Sequence, residues 1–246
     1  MPVRFFYRHI AALKDALRQG PRYLVLACAL LAGSAWAQPT PAVALYYGSG
    51  IALSEFGNFD ILVVDPDHAA APGLPATQVY AYASVTEVHP TRAYYDQIPA
   101  QWKLARNADW QSDVIDQSIA QWPDFFADTV IAPLWQQGYR GFFLDTLDSY
   151  RLARDFDEQA QQQGLVRVIN TLHQRFPGIQ LIFNRGFELI PQLPGKVQMV
   201  AAESLYRAWN ARTGRYEEVP KDARAWLRGQ FRTIQERDHR PSFVSG

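Results

Sequence analysis

One cysteine, Cys28, stands in 246 residues. A single thiol makes no disulfide framework and no thiolate metal cluster. It also falls in a segment expected to be removed from the mature chain, so no cysteine nucleophile is available there. The five histidines, His9, His68, His89, His173 and His239, are dispersed, so neither a metal centre nor a cofactor is expected. Glycine patterns for dinucleotide or phosphate binding are absent, as is a nucleophile elbow. Acidic and basic residues balance at 24 each. Five of the basic residues, but only Asp15 of the acidic ones, lie in the first 37 positions. The remainder is mildly acidic, which disfavours nucleic acid as a partner.

Long apolar runs are lacking too. A transmembrane helix needs about twenty apolar residues, and the run from Tyr23 to Ala32 is roughly half that. With Arg4, Arg8, Lys14, Arg18 and Arg22 ahead of it and the triplet Ala35-Trp36-Ala37 behind it, the segment 1–37 reads as a signal peptide cleaved before Gln38. Export to the periplasm or beyond follows, with no stable membrane span once the signal is gone. A short leader, 38–42, precedes one domain, 43–246, which is long enough for a sizeable core.

Within that domain, apolar runs bounded by turn residues alternate with helix-like stretches, the pattern of an α/β protein with a parallel sheet. The expected strands are Val43–Tyr47, Ile61–Asp65, Val79–Ser84, Gly141–Asp145, Gln180–Asn184 and Val197–Glu203. The expected helices are Trp122–Gln137, Leu152–Phe176 and Lys221–Arg237; Pro177 stops the second. Runs such as FFLD, LIFN and MVAAE are apolar until a polar residue at the end, as in strands covered on both faces. In (β/α)8 TIM barrels that end carries the active site. The polar tips are Tyr46/Tyr47, Asp65, Ser84, Asp145, Asn184 and Glu203. Asp and Asn are also common turn and cap residues, but Glu is not a usual cap. A full barrel takes about 250 residues, so a TIM-barrel-like fold truncated after about six βα units is expected, with Pro241–Gly246 able to open a seventh strand.

Glycoside hydrolysis needs two carboxyl groups across one sugar bond, and Asp145 and Glu203, at the tips of the fourth and sixth strands, fit that need. Aromatic residues that stack on sugars or pack in cores are plentiful: Tyr46, Tyr47, Tyr82, Trp110, Tyr150, Tyr206 and Trp209. The pair Asp145 and Asp148 has no clustered histidines to complete a metal site.

Three stretches, GYRGFFLDTLDSYRL (138–152), IFNRGFELIPQLPG (182–195) and AAESLYRAWNARTGRYEEVPKDARAWLRG (201–229), resemble the hydrolase domains of the PelA family. They are similar, more distantly, to the endo-α-1,4-polygalactosaminidases. The likeness runs from about Val43 to Arg237. It implies a hydrolase, acting with retention of anomeric configuration, on an α-1,4-linked, partly de-N-acetylated galactosamine polymer such as Pel polysaccharide. It further implies a biofilm setting, with exopolysaccharide export proteins as partners. By motif, Asp145 is the nucleophile or charge stabiliser and Glu203 the acid/base. Tyr46, Asp65, His68, Tyr82, Asp148, Asn184, Arg185 and Trp209 are candidate groove residues. The deacetylase region of PelA proteins has no counterpart, and the expected loss of barrel strands supports an alternative, a truncated, non-catalytic homologue that binds polymer; a third reading is an exported enzyme acting on another α-linked glycan.

Overall fold

The computed structural model describes residues 41–245 apart from 70–72, 75, 211–212 and 239–241. The expected signal peptide and most of the leader lie outside the described residues. In chain order the strands are β1 (Val43–Tyr46), β2 (Ile61–Val64), β3 (Gln78–Ser84), β4 (Glu87–Val88), β5 (Lys103–Asn107), β6 (Ser112–Ile115), β7 (Gly141–Asp145), β8 (Gln180–Asn184), β9 (Met199–Glu203), β10 (Arg207–Asn210), β11 (Arg215–Glu218) and β12 (Ser242–Ser245). Seven of them form one parallel sheet in the order β1-β2-β3-β7-β8-β9-β12. Six strands were expected. The seventh is the segment beginning near Pro241, whose Ser242–Ser245 backbone pairs in parallel with Val200–Glu203, so the outer edge of β9 is not left open.

Side-chain alternation along these strands gives the sheet two apolar faces. One face carries Ile61, Val63, Tyr80, Phe143, Ile182, Met199 and Ala201, a small cluster joined by Val43, Leu45 and Tyr82. The other carries Leu62, Val64, Ala81, Phe142, Leu144, Leu181, Phe183 and Val200, packed into the larger core with the helices. Burial on both faces explains why these strands read as unbroken apolar runs. The polar tips follow the same alternation. Tyr82, Asp145, Asn184 and Glu203 each stand two residues beyond a member of the small cluster, so all four share its face.

The helices depart from expectation where proline or a cap intervenes. The stretch expected as one helix over 122–137 is α1 (Trp122–Phe125), a π-helical segment Phe126–Ile131, and α2 (Ala132–Gln136). Pro133 has no N–H to return to the carbonyl one α-turn back, so the ladder is re-registered ahead of it. The next helix begins later than Leu152. Ser149–Leu152 is a 3-10 turn, and α3 (Glu158–Arg175) starts only where the Asp157 carboxylate accepts from the Ala160 amide at 3.0 Å, an N-cap. The helix α4 (Lys221–Asp238) follows β11.

Two antiparallel additions were not anticipated: a three-stranded sheet of order β4-β6-β5 and the hairpin β10-β11. The first stands beside the tip of β3 and contributes a wall of the site.

Candidate active site

A cleft of about 710 Å³ opens at the C-terminal ends of the parallel strands, with Tyr47, Asp65, Tyr82, Ser84, Asp145, Asn184 and Glu203 among its lining residues. At its floor, Asp145 is gripped on both oxygens. The Tyr82 hydroxyl donates to Oδ2 at 2.9 Å and the Asn184 amide donates to Oδ1 at 2.8 Å. Burial pushes the Asp145 carboxyl above the ordinary carboxylate value; the bonds from its surroundings, Tyr82 and Asn184 included, pull it back, and Glu87 adds a further upward push. Burial followed by the Asp145 charge raises the Tyr82 hydroxyl, which stays a donor. Tyr47 meets Tyr82 edge-on at 5.2 Å. Its hydroxyl is raised by burial and then by Glu203, Asp145 and Asp65.

The residues after two of the tips have left-handed backbones, Thr146 at φ 65° and Arg185 at φ 62°. Such a conformation is costly for a β-branched residue, and the surroundings over-determine it at Thr146. The Thr86 amide and the Ser84 hydroxyl bond Thr146 Oγ1 at 3.1 and 2.9 Å, and the Thr86 hydroxyl donates to the Thr146 carbonyl. Arg185 leaves its turn to donate from Nη2 and Nε to the Glu203 carbonyl at 2.7 and 3.2 Å, with Nη1 3.7 Å from Asp148. The Glu203 backbone is therefore clamped while its side chain is exposed.

The wall is built from residues that are not strand tips of the main sheet. Arg92 grips both oxygens of Asp65 at 2.9 and 3.0 Å, reaches Asp67 at 2.6 Å and lies 5.9 Å over the Tyr82 ring. Burial pushes Asp65 upward, but Arg92 and the Asp67 amide more than reverse that and hold it below its ordinary value. Glu87, buried on β4, accepts from the Asn107 amide on both oxygens at 3.1 and 3.2 Å and from the Ser112 hydroxyl.

Of the residues expected at the site, Asp65, Tyr82, Asp145, Asp148, Asn184, Arg185 and Glu203 line the cleft, and Tyr46, His68 and Trp209 do not. Tyr46 faces the helix side of the sheet, where its ring packs on Phe56 at 5.0 Å and its hydroxyl accepts from the Ile51 amide; its neighbour Tyr47 lines the cleft instead. His68 donates from Nδ1 to the Tyr47 carbonyl at 2.8 Å. Trp209 stands on β10, exposed and edge-on to Tyr216 at 5.3 Å. Glu87, His89, Arg92 and Asn107 were not anticipated as lining; Trp110, named only among the aromatics that stack on sugars or pack in cores, lines the cleft with them. Nothing in the pattern of residues 80–87, YAYASVTE, marks Glu87 as buried.

Most glycosidases use two carboxyl groups flanking the scissile bond, and this cleft presents two on one face of the sheet, Asp145 held by two donors and Glu203 exposed. Residues 29–226 match glycoside-hydrolase family GH114. The chain belongs to that family. This GH114 glycoside hydrolase is similar to the glycoside hydrolase domain of PelA from Pseudomonas aeruginosa, with 35% identity over 83% of each chain and a TM-score of 0.74. It shares its fold with Ega3 of Aspergillus fumigatus, solved in complex with galactosamine, at 15% identity over 86% of this chain and 79% of that one and a TM-score of 0.65. The fold is TIM-barrel-like, as in these relatives. Among curated proteins none matches this GH114 chain. No helix among the described residues is long and apolar enough to cross a membrane.

Proposed function

We propose that this hydrolase cuts within an α-1,4-linked, partly de-N-acetylated galactosamine polymer, the substrate class suggested by its likeness to the PelA domain, and that it works outside the cytoplasm. The observation that carries the mechanism is the shared face of Asp145 and Glu203 at the tips of β7 and β9, with Asp145 oriented by two donors. Asp145 attacks the anomeric carbon while Glu203 gives its proton to the departing glycosidic oxygen. A glycosyl ester on Asp145 results. Glu203, now a carboxylate, takes a proton from water as that water attacks the same carbon, which frees Asp145 and restores the Glu203 acid. Two displacements return the original anomeric configuration. The cleft lining sets Asp65, Glu87, Asp145, Asp148 and Glu203 against Arg92, Arg151 and Arg185, an acidic excess that favours the ammonium groups of deacetylated sugars.

The test is digestion of partly de-N-acetylated and fully acetylated α-1,4-galactosamine polymers, with products read by mass spectrometry and their first-formed anomer by NMR. Cleavage of the deacetylated polymer to α-anomers is expected, with Asp145→Asn and Glu203→Gln both inactive and folded. Full activity in either variant would discard this carboxyl pair. The alternative of a binding-only remnant rested on open strand edges, and the pairing of β12 with β9 removes that argument at the sixth strand.

A further inference from the structure

Eight large apolar side chains are exposed among the described residues, and exposure by itself means little. Three of the eight line the cleft: Tyr47 beside the carboxyl pair, and Trp110 and Leu152 away from the strand tips. Trp110 is 60% exposed and sits in the turn joining β5 to β6. Leu152 ends the 3-10 turn that packs against both of those strands.

The turn is held far more firmly than an ordinary surface hairpin. Asn107 Oδ1 accepts from the amides of Asp109 and Trp110 at 3.1 and 3.4 Å, while its Nδ2 donates to the buried Glu87 carboxylate. On the other side, Ser112 donates its hydroxyl to the same carboxylate. Gln111 adopts a left-handed backbone at φ 53°, and its carbonyl accepts from Arg106 at 3.2 Å. Both ends of the turn are thus fixed to one buried group in the cleft wall, so the backbone that carries the exposed indole is ordered in advance. Ordering of that kind before binding reduces what a ligand must supply.

We infer that Trp110, supported by Leu152, is a sugar-stacking subsite on the rim of the cleft for a hexosamine unit away from the bond being cut. A pyranose has one C–H-rich face, and in a galacto-configured ring the axial 4-hydroxyl leaves the C3–C6 hydrogens contiguous on the opposite side. An exposed indole covers such a face and withdraws both from water. Because the contact is remote from the reacting atoms, it holds longer chains without taking part in bond cleavage. Glu87 and Asn107 act as positioning residues through the turn.

The identity of the sugar rests on the galactosamine reading above; the stacking itself needs only a polysaccharide substrate. The experiment measures kcat/KM of the wild-type chain, Trp110→Ala and Trp110→Phe on a ladder of partly de-N-acetylated α-1,4-galactosamine oligosaccharides, with thermal unfolding of each protein as a check on folding. In the wild type kcat/KM rises with length. In Trp110→Ala the advantage of long over short substrates falls about five- to tenfold, mainly through KM, and Trp110→Phe restores most of it. Cleavage by a folded Trp110→Ala with the wild-type length dependence, or with an equal loss at every length, would overturn the subsite and leave the activity standing. Absence of both binding and cleavage by the wild type would overturn the galactosamine reading and, with it, the assignment of a hexosamine to this subsite.

Discussion

The side-chain amide of Asn184 donates to Asp145 Oδ1 at 2.8 Å, joining the tips of two neighbouring parallel strands. A carboxylate only accepts, so this bond fixes which end of the Asn184 amide faces Asp145. With Tyr82 on the other oxygen, both carboxylate oxygens are bonded and the group is held in one orientation.

Replacing the donor tests that arrangement. Asn184→Ala leaves Asp145 with one bond fewer, and loss of a hydrogen bond to a charged group is worth about 10- to 100-fold in kcat if it acts in the transition state. Asn184→Asp is expected to do more harm, because two carboxyls at hydrogen-bond distance share a proton and titrate as a pair. Its pH–rate profile should lose activity at neutral pH relative to Asn184→Ala. Equal profiles for the two variants would show that Asn184 has no electrostatic part.

Tyr82→Phe removes a bond that pulls the Asp145 carboxyl downward against its burial. The Asp145 value therefore rises further in the variant. The acid limb of kcat should move to higher pH, with a loss of about tenfold near the wild-type optimum. A pH–rate titration decides it, and an unmoved acid limb would assign Tyr82 to packing alone.

How much of this was legible before the structure follows from the same physics. Strands buried on both faces are unbroken apolar runs, so Gly141–Asp145 and Gln180–Asn184 were readable to the residue, and their polar ends located the cleft. Side-chain direction at the end of β1 was not readable, because one residue's step separates Tyr46 on the helix side from Tyr47 in the cleft. The wall was hidden for another reason. The β5 sequence KLARN is short and polar, and Glu87 and Arg92 follow β3 in a segment with neither strand nor helix period, so only tertiary pairing brings them to Asp65 and Asn107.

Glycine substitutions in two helices should have opposite signs. A Cβ on Gly164 in α3 would stand 1.8 Å from the Gln117 carbonyl oxygen, a backbone atom that cannot step aside. Gly164→Ala is expected to cost about 1–3 kcal/mol or more, which lowers the Tm by about 2–4 °C per kcal/mol in a domain of this size. A Cβ on Gly229 in α4 meets nothing within 4 Å, so Gly229→Ala should stabilise by about 0.5–1 kcal/mol through helix propensity. Calorimetry on both variants checks the contrast; a harmless Gly164→Ala would mean that α3 does not approach Gln117 so closely.

Asp145 also bears on stability, independently of the role proposed for it in bond cleavage. Burial raises its carboxyl in the folded protein, whereas in the unfolded chain it has the ordinary value of about 4. The folded state then binds this proton more readily than the unfolded state. Above the folded value, ionised Asp145 costs stability; as pH falls through that value the cost shrinks, and below the unfolded value it is gone. Asp65, Asp113 and Asp116 behave in the opposite way. Each is held low in the fold, against its own burial, by hydrogen-bonding neighbours, so their stabilisation is present above about pH 4 and is lost on acidification. Those three are common to wild type and Asp145→Asn and cancel in the difference between them. The Asp145→Asn protein should therefore have the higher Tm at neutral pH, and its advantage should shrink toward pH 4 even as both proteins lose stability. Differential scanning calorimetry across that range reads the difference directly. A less stable Asp145→Asn at neutral pH would mean that the bonds from Tyr82 and Asn184 outweigh the burial of the charge, and that the site is not held at a cost to the fold.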